Sequence, residues 1–134
     1  MTCYWSGILN ALKRTDFERI CGKTRKPNCE TLIRFLQTKN TKNHNITWNG
    51  KKITKQEREE NYEAVKNYNI RGIYNGHLCS PCDYFLFLIS KVFEANITHY
   101  YLGRKMEYKN PNARRVFTFK SGRGHFWYTS SRSL

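Results

Sequence analysis

Apolar side chains in the first two thirds of the chain recur at intervals of three and four residues, the spacing of amphipathic helices. The first such stripe begins directly after Cys3, and Thr2 is placed to cap that helix. Further helices are predicted near residues 16–20 and 29–38 and from a Thr54–Glu57 capping box to about residue 67. The first stripe consists of Tyr4, Trp5, Ile8, Leu9 and Leu12.

The most apolar helix is predicted to follow the run Ser80-Pro81-Cys82-Asp83. Serine can cap a helix, proline suits the first helical position, and an acidic residue in the first turn is favoured by the helix dipole. The helix should be central, because its buried face is broad. That face consists of Phe85, Leu88, Ile89, Val92 and Phe93.

Strand-like patterns come mainly at the end of the chain, at 97–102, 116–119 and 126–129. Earlier, Asn49-Gly50 lies between two short extended segments and predicts a small hairpin over residues 46–53. The sequence therefore predicts an α+β fold in one domain, residues 1–134. Residues 1–95 should be a mainly helical lobe with the hairpin, and residues 96–134 should be antiparallel strands.

Composition supports a folded chain of 134 residues with 39% apolar and 15% aromatic residues. No run approaches the length of a membrane span, and the first residues lack a secretory signal pattern. We therefore expect a monomeric cytoplasmic protein, without a membrane partner and without a cofactor.

A formal net charge of +14 makes nucleic acid a candidate partner. In this interpretation the chain is a basic, aromatic-rich module for RNA or single-stranded DNA. Arginine and lysine side chains would contact phosphates, while aromatic rings stack on bases. The basic candidates are Arg114, Arg115, Lys120 and Arg123, and the aromatic candidates are Phe117, Phe119, Phe126 and Trp127.

Five cysteines without a secretory signal favour reduced thiols over a disulfide framework. Cys79 and Cys82 have the spacing of half a zinc site, and Cys21 with Cys29 is the candidate other half. The separation of Cys21 from Cys29 is poor for a zinc knuckle, so the prediction is that the chain has no metal site.

Cys3 and His125 form the main candidate for catalysis. A cysteine at the start of a helix gains help as a thiolate from the helix dipole, and a histidine beside it can protonate a leaving amine. Glycine residues on both sides of Arg123 allow the backbone to bend before His125, and the following aromatic residues anchor a strand. The alternative is that Cys3 is a buried core residue and His125 an ordinary strand histidine.

Three segments carry a resemblance to a known family. The run from Thr2 to Leu12 resembles the cysteine box of ubiquitin-specific proteases and viral papain-like proteases, and the run from Ser121 to Phe126 is similar to their histidine box. Between them, Asp83 followed by Phe87-Leu88 resembles an aspartate-bearing helix of ubiquitin-specific proteases. The aromatic ending also resembles arterivirus proteases, and the chain's brevity is typical of viral leader and accessory proteases, including coronavirus-type enzymes.

The resemblance implies a papain-like thiol protease, a hydrolase of viral or deubiquitinase-like type, with Cys3 as nucleophile and His125 as general base and acid. A viral enzyme of this kind would act in the host cytoplasm. The resemblance also implies substrate contacts by Trp5, Asp83 and Trp127. The partner would be a protein substrate, either a polyprotein junction or a ubiquitin-like tail. The chain departs from the family pattern because no Asp or Asn follows His125 to orient it. An inactive, protease-like interaction protein is therefore a further alternative.

Overall fold

The computed structural model describes residues 3–22, 25–74, 80 and 82–134. Helices and strands are both present, in agreement with the predicted α+β class. The helices are α1 (Cys3–Ala11), α2 (Arg14–Cys21), α3 (Cys29–Thr38), α4 (Lys55–Lys66) and α5 (Tyr84–Val92), with a short 3-10 helix at Ile70–Tyr74. The strands are β1 (Thr47–Trp48), β2 (Lys51–Lys52), β3 (Ala95–Tyr101), β4 (Arg104–Lys109), β5 (Arg115–Gly122) and β6 (His125–Ser133).

The six strands form one sheet in the order β2-β1-β4-β3-β5-β6. The predicted hairpin over residues 46–53 is present, and β1 also pairs with β4, so the hairpin extends the sheet that the later strands form. The prediction of purely antiparallel strands is wrong, because β3 and β5 pair in parallel. The strand prediction omitted β4, which pairs antiparallel with β3 on the other side. Because β4 reverses the direction of the chain, the following strand β5 can return in the same direction as β3.

Two helix starts show how local capping works in this chain. Thr54 and Glu57 form the predicted capping box at α4, with each side chain accepting a backbone N–H bond of the other residue. At α5 the predicted Ser80 cap is wrong. Asp83 is the N-cap, and its carboxylate accepts hydrogen bonds from the backbone N–H groups of Phe85 and Leu86. Pro81 and the predicted Thr2 cap lie outside the described residues.

The two faces of the sheet differ sharply in burial. On the core face, helices α1 and α5 pack against the strands, with α1 lying on β6 and α5 on β3 and β4. The opposite face is called the outer face below, and Trp127 on it is 46% exposed. Within the described residues, no helix has both the length and the apolar character needed to cross a bilayer. The fully or nearly buried side chains of the core face include Ile97, His99, Met106, Tyr108, Phe117, Phe119 and Phe126.

Candidate active site

Cys3 is the first residue of α1 and is exposed. The other described cysteines are less accessible: Cys29 is buried, and Cys21 and Cys82 are half-buried. Burial raises the pKa of Cys29, and it raises the pKa of Cys82 to about 11. Thiolate is the reactive form of cysteine, so Cys29 and Cys82 are poor nucleophiles near neutral pH. Among the described thiols, Cys3 has the most open access to a reagent or substrate.

Helix α1 lies along β6 and runs in the same direction. Near the start of both elements, the rings of Tyr4 and Phe126 are 4.8 Å apart between centroids. Near their ends, the Ser131 hydroxyl donates a hydrogen bond to the Ala11 carbonyl at 3.3 Å. Cys3 precedes Tyr4, so the helix N-terminus lies at the end of β6 where that strand begins.

Gly7 sets how closely α1 approaches β6. A Cβ atom at this position would lie 2.8 Å from Cε1 and 2.9 Å from Cδ1 of Phe126, and 3.5 Å from the backbone nitrogen of Tyr128. The first two distances are shorter than ordinary carbon contacts, so only glycine leaves room for the Phe126 ring here. The absence of a side chain at Gly7 thereby allows α1 to lie close to β6 in the part of the helix just after Cys3.

His125 is the first residue of β6 and is exposed. It follows a tight turn in which Arg123 and Gly124 both have positive φ, 48° and 82°. Side chains alternate along a strand, so the buried Phe126 assigns His125 and Trp127 to the outer face. His125 therefore lies at the start of the edge strand β6, on the face opposite to the one that α1 covers.

Trp5 and Asp83 have structural roles. The Trp5 side chain is fully buried, and its indole nitrogen donates a hydrogen bond to the Tyr68 hydroxyl at 3.1 Å. Asp83 is also fully buried and accepts a hydrogen bond from the Tyr4 hydroxyl at 2.9 Å, in addition to capping α5. Neither side chain offers surface to a substrate in this conformation. Trp127, the third predicted substrate contact, is exposed.

A buried polar pair lies behind the Phe126 ring, and sequence reasoning did not single it out. Nε2 of His99 lies 2.6 Å from Oγ of Ser121, and the His99 ring is 5.6 Å from that of Phe126. Burial lowers the pKa of His99 to about 4, against a small opposing effect from the Asp83 charge. The imidazole is therefore neutral near pH 7. The sequence signal for His99 is its place in the alternating pattern of β3, two residues after Ile97 and two before Tyr101. This spacing assigns the three side chains to one face of the strand.

The predicted nucleic-acid residues do not form one surface. Phe117 and Phe119 are fully buried and Phe126 is 5% exposed, so stacking on bases by these three rings is wrong. They alternate inward on β5 and β6 because the core lies on that side. Arg115 forms a nearly buried ion pair with Asp16 and is therefore not available to a phosphate. Lys120, Arg123 and Trp127 do remain exposed.

The cysteines of the alternative zinc site are only partly described. Cys79 lies outside the described residues. Among the residues that the structure describes, no group of three or more His, Cys, Asp or Glu side chains is arranged to hold a metal ion.

Comparison with known proteins adds no relatives: no protein-family model matches the chain, and neither the curated proteins nor the solved structures give a match.

Proposed function

We propose that this protein is a small papain-like cysteine hydrolase that cleaves peptide or isopeptide bonds with Cys3 and His125. One observation carries the proposal: an exposed cysteine begins the helix that packs along the strand begun by His125. Helix and strand run in the same direction, so both residues lie at one end of the contact. The lower exposure of the other described thiols adds to the case for Cys3.

The reaction uses a thiol and an imidazole in two stages. His125 accepts the Cys3 proton, and the thiolate attacks the substrate carbonyl carbon. When the C–N bond breaks, the imidazolium gives the proton to the leaving amine, and the substrate acyl group remains on sulfur as a thioester. Water then attacks the thioester, His125 takes a proton from it, and the carboxylic acid leaves as Cys3 regains its proton.

The helix N-terminus contributes electrostatically to this cycle. The first N–H groups of a helix have no partner within the helix, and the positive end of the helix dipole favours negative charge there. In this proposal that charge is on the Cys3 sulfur and on an oxyanion next to it. The proposed substrate is a protein segment, a polyprotein junction or a ubiquitin-like tail. The net charge of +14 favours acidic surroundings of the scissile bond over basic ones.

Labelling with a fluorescent iodoacetamide near neutral pH tests the coupling of the two residues. We expect Cys3 to react faster than the other four cysteines, and His125→Ala to slow that reaction by about tenfold or more because the imidazole no longer favours the thiolate. Trp127→Ala is the matched control two residues along β6. Equal Cys3 labelling in the His125→Ala and parent proteins would contradict the dyad.

Engineered disulfide formation tests the geometry separately. A disulfide requires Cα atoms within about 7 Å of each other. The proposed dyad therefore predicts that His125→Cys oxidises to a disulfide with Cys3, detected by peptide mapping, and absence of this bond would contradict the proposed geometry. Trp127→Cys, farther along the strand, should not form one. Turnover is then measured by mass spectrometry on a mixed peptide library, where cleavage by the parent protein and its loss in Cys3→Ala are expected. Absence of cleavage with an intact dyad would favour an inactive, protease-like interaction protein.

A further inference from the structure

The outer face of the sheet carries basic and aromatic side chains in one transverse row. In the strand register, Lys105 of β4 lies opposite Tyr100 of β3, Tyr100 lies beside Lys120 of β5, and Lys120 lies opposite Trp127 of β6. These four residues are called the outer-face row. Lysine and aromatic residues alternate along it, and strand spacing separates the two aromatic positions by about 10 Å.

The members of the row are accessible. Lys105, Lys120 and Trp127 are exposed and Tyr100 is half-buried. Tyr100, Lys120 and Trp127 also line a shallow depression together with Gly103 and Ser121. An exposed tryptophan beside lysines on an open sheet contributes little to the fold, because its ring makes few core contacts. Such an arrangement suits a flat, anionic ligand with aromatic groups.

The charge around the row is positive. Glu107 is the acidic residue next to it, and this carboxylate forms ion pairs with Lys105 at 3.1 Å and with Lys109 at 3.3 Å. One carboxylate against these two lysines and Lys120 leaves positive charge on the face. The turn before β6 adds the exposed Arg123. The whole chain has a net charge of +14, which attracts polyanions.

We propose that the outer-face row binds single-stranded RNA, with Tyr100 and Trp127 stacking on bases and Lys105 and Lys120 contacting phosphates. Base stacking on aromatic rings with a positively charged path for the backbone is the general mode of single-strand binding. The next transverse position holds Thr98 beside Thr118, both half-buried. Their hydroxyls can exchange hydrogen bonds with ribose 2′-OH groups, which favours RNA over DNA.

This site does not depend on the proposed hydrolase. The row uses no side chain of α1, and Cys3 lies at the helix that covers the other face of β6. RNA binding therefore should survive in Cys3→Ala, and failure of either proposal leaves the other standing.

Fluorescence anisotropy with a short labelled oligouridylate is the test, on the full chain and across a salt series. We expect Trp127→Ala and Tyr100→Ala each to weaken binding by about tenfold, and Lys120→Ala to reduce the steepness of the salt dependence by about 0.7 per phosphate contact. Matched controls on α4 are Tyr62→Ala and Lys66→Ala, which should leave binding within about twofold. Circular dichroism checks that each variant is folded.

Several outcomes would overturn the proposal. If Lys66→Ala weakens binding as much as Lys120→Ala, the interaction is nonspecific attraction to net charge. If oligodeoxyuridylate binds as tightly as the RNA, the hydroxyl contacts are wrong and the ligand assignment fails. If the parent protein sediments as a dimer that Trp127→Ala converts to a monomer, the row is an interface between two copies instead.

Discussion

Along strand β6, the core face and the outer face of the sheet differ in how far they bury a side chain. On the core face, Phe126 is enclosed by Tyr4, Phe119 and His99, with ring centroids between 4.8 and 5.6 Å apart. On the outer face, one residue farther along, Trp127 is exposed. Neighbouring aromatic residues in one strand thus have opposite roles: the first holds α1 on the sheet, and the second is free to contact a ligand.

The largest expected effect comes from removing the enclosed ring. Phe126→Ala should lower the free energy of unfolding by about 3–5 kcal/mol, because it deletes a buried aromatic side chain and leaves a cavity under α1. Trp127→Ala, on the other face, should change it by less than about 1 kcal/mol. Urea unfolding of both variants measures the difference. Similar losses for the two substitutions would show that the faces are not distinct.

Acid should act on the core face through His99. Its pKa is about 4 in the folded protein and 6.5 ordinarily, so below pH 6.5 the unfolded chain takes up a proton that the folded chain excludes. Stability is therefore complete above pH 6.5 and falls as pH drops toward 4. Linkage gives a loss of about 2 kcal/mol at pH 5 for one such histidine.

His44 provides a comparison within the same experiment. Burial also lowers its pKa to about 4, with a further contribution from the charge of Arg58. Urea unfolding at pH 7.5 and pH 5 of the parent, His99→Gln and His44→Gln proteins should show that each substitution removes about half of the acid sensitivity. An unchanged pH dependence in His99→Gln would mean that this imidazole is accessible to protons in the folded state.

A smaller effect is expected at Gly7. Alanine gains up to about 1 kcal/mol in helix propensity, but its Cβ must displace the enclosed Phe126 ring, which costs about 1–3 kcal/mol. Gly7→Ala should therefore be net destabilising by about 1 kcal/mol, measured by thermal unfolding. The same substitution in a Phe126→Leu background should cost less, because the clashing ring edge is gone. A stabilising Gly7→Ala would show that α1 lies farther from β6.

Much of the local structure could be predicted from the sequence, because it depends on local chemistry. The apolar stripe after Cys3 predicted α1, and Asn28, whose side chain accepts from the Thr31 N–H, begins the predicted helix α3. The α4 capping box followed in the same way. These signals involve residues three or four positions apart, which a sequence pattern shows directly.

The errors in the predicted fold arise where the structure depends on unfavourable local conformations or on residues far apart in sequence. Strand β4 reads as a charged segment, and the turn before it begins with Leu102, a residue with little tendency toward the positive φ of 49° that it adopts. Without β4 the parallel pairing of β3 with β5 could not be expected. Asp83 reads as a residue of the first helical turn, yet it is the N-cap of α5. Its buried carboxylate also accepts a hydrogen bond from the Tyr4 hydroxyl, 79 residues away, and a contact at that separation leaves no local sequence pattern. Which face of β5 and β6 lies inward also depends on α1, far away in sequence.

The contact between α1 and β6 also sets an order in time. Ala11 and Ser131, which join the two elements, are 120 residues apart in sequence. At typical rates of translation, on the order of ten seconds separates their synthesis. During that interval the apolar side of the first helix has no strand to cover it, and the end of the molecule that holds Cys3 and His125 is incomplete. Assembly of this end is therefore a late event, which follows synthesis of the rest of the sheet.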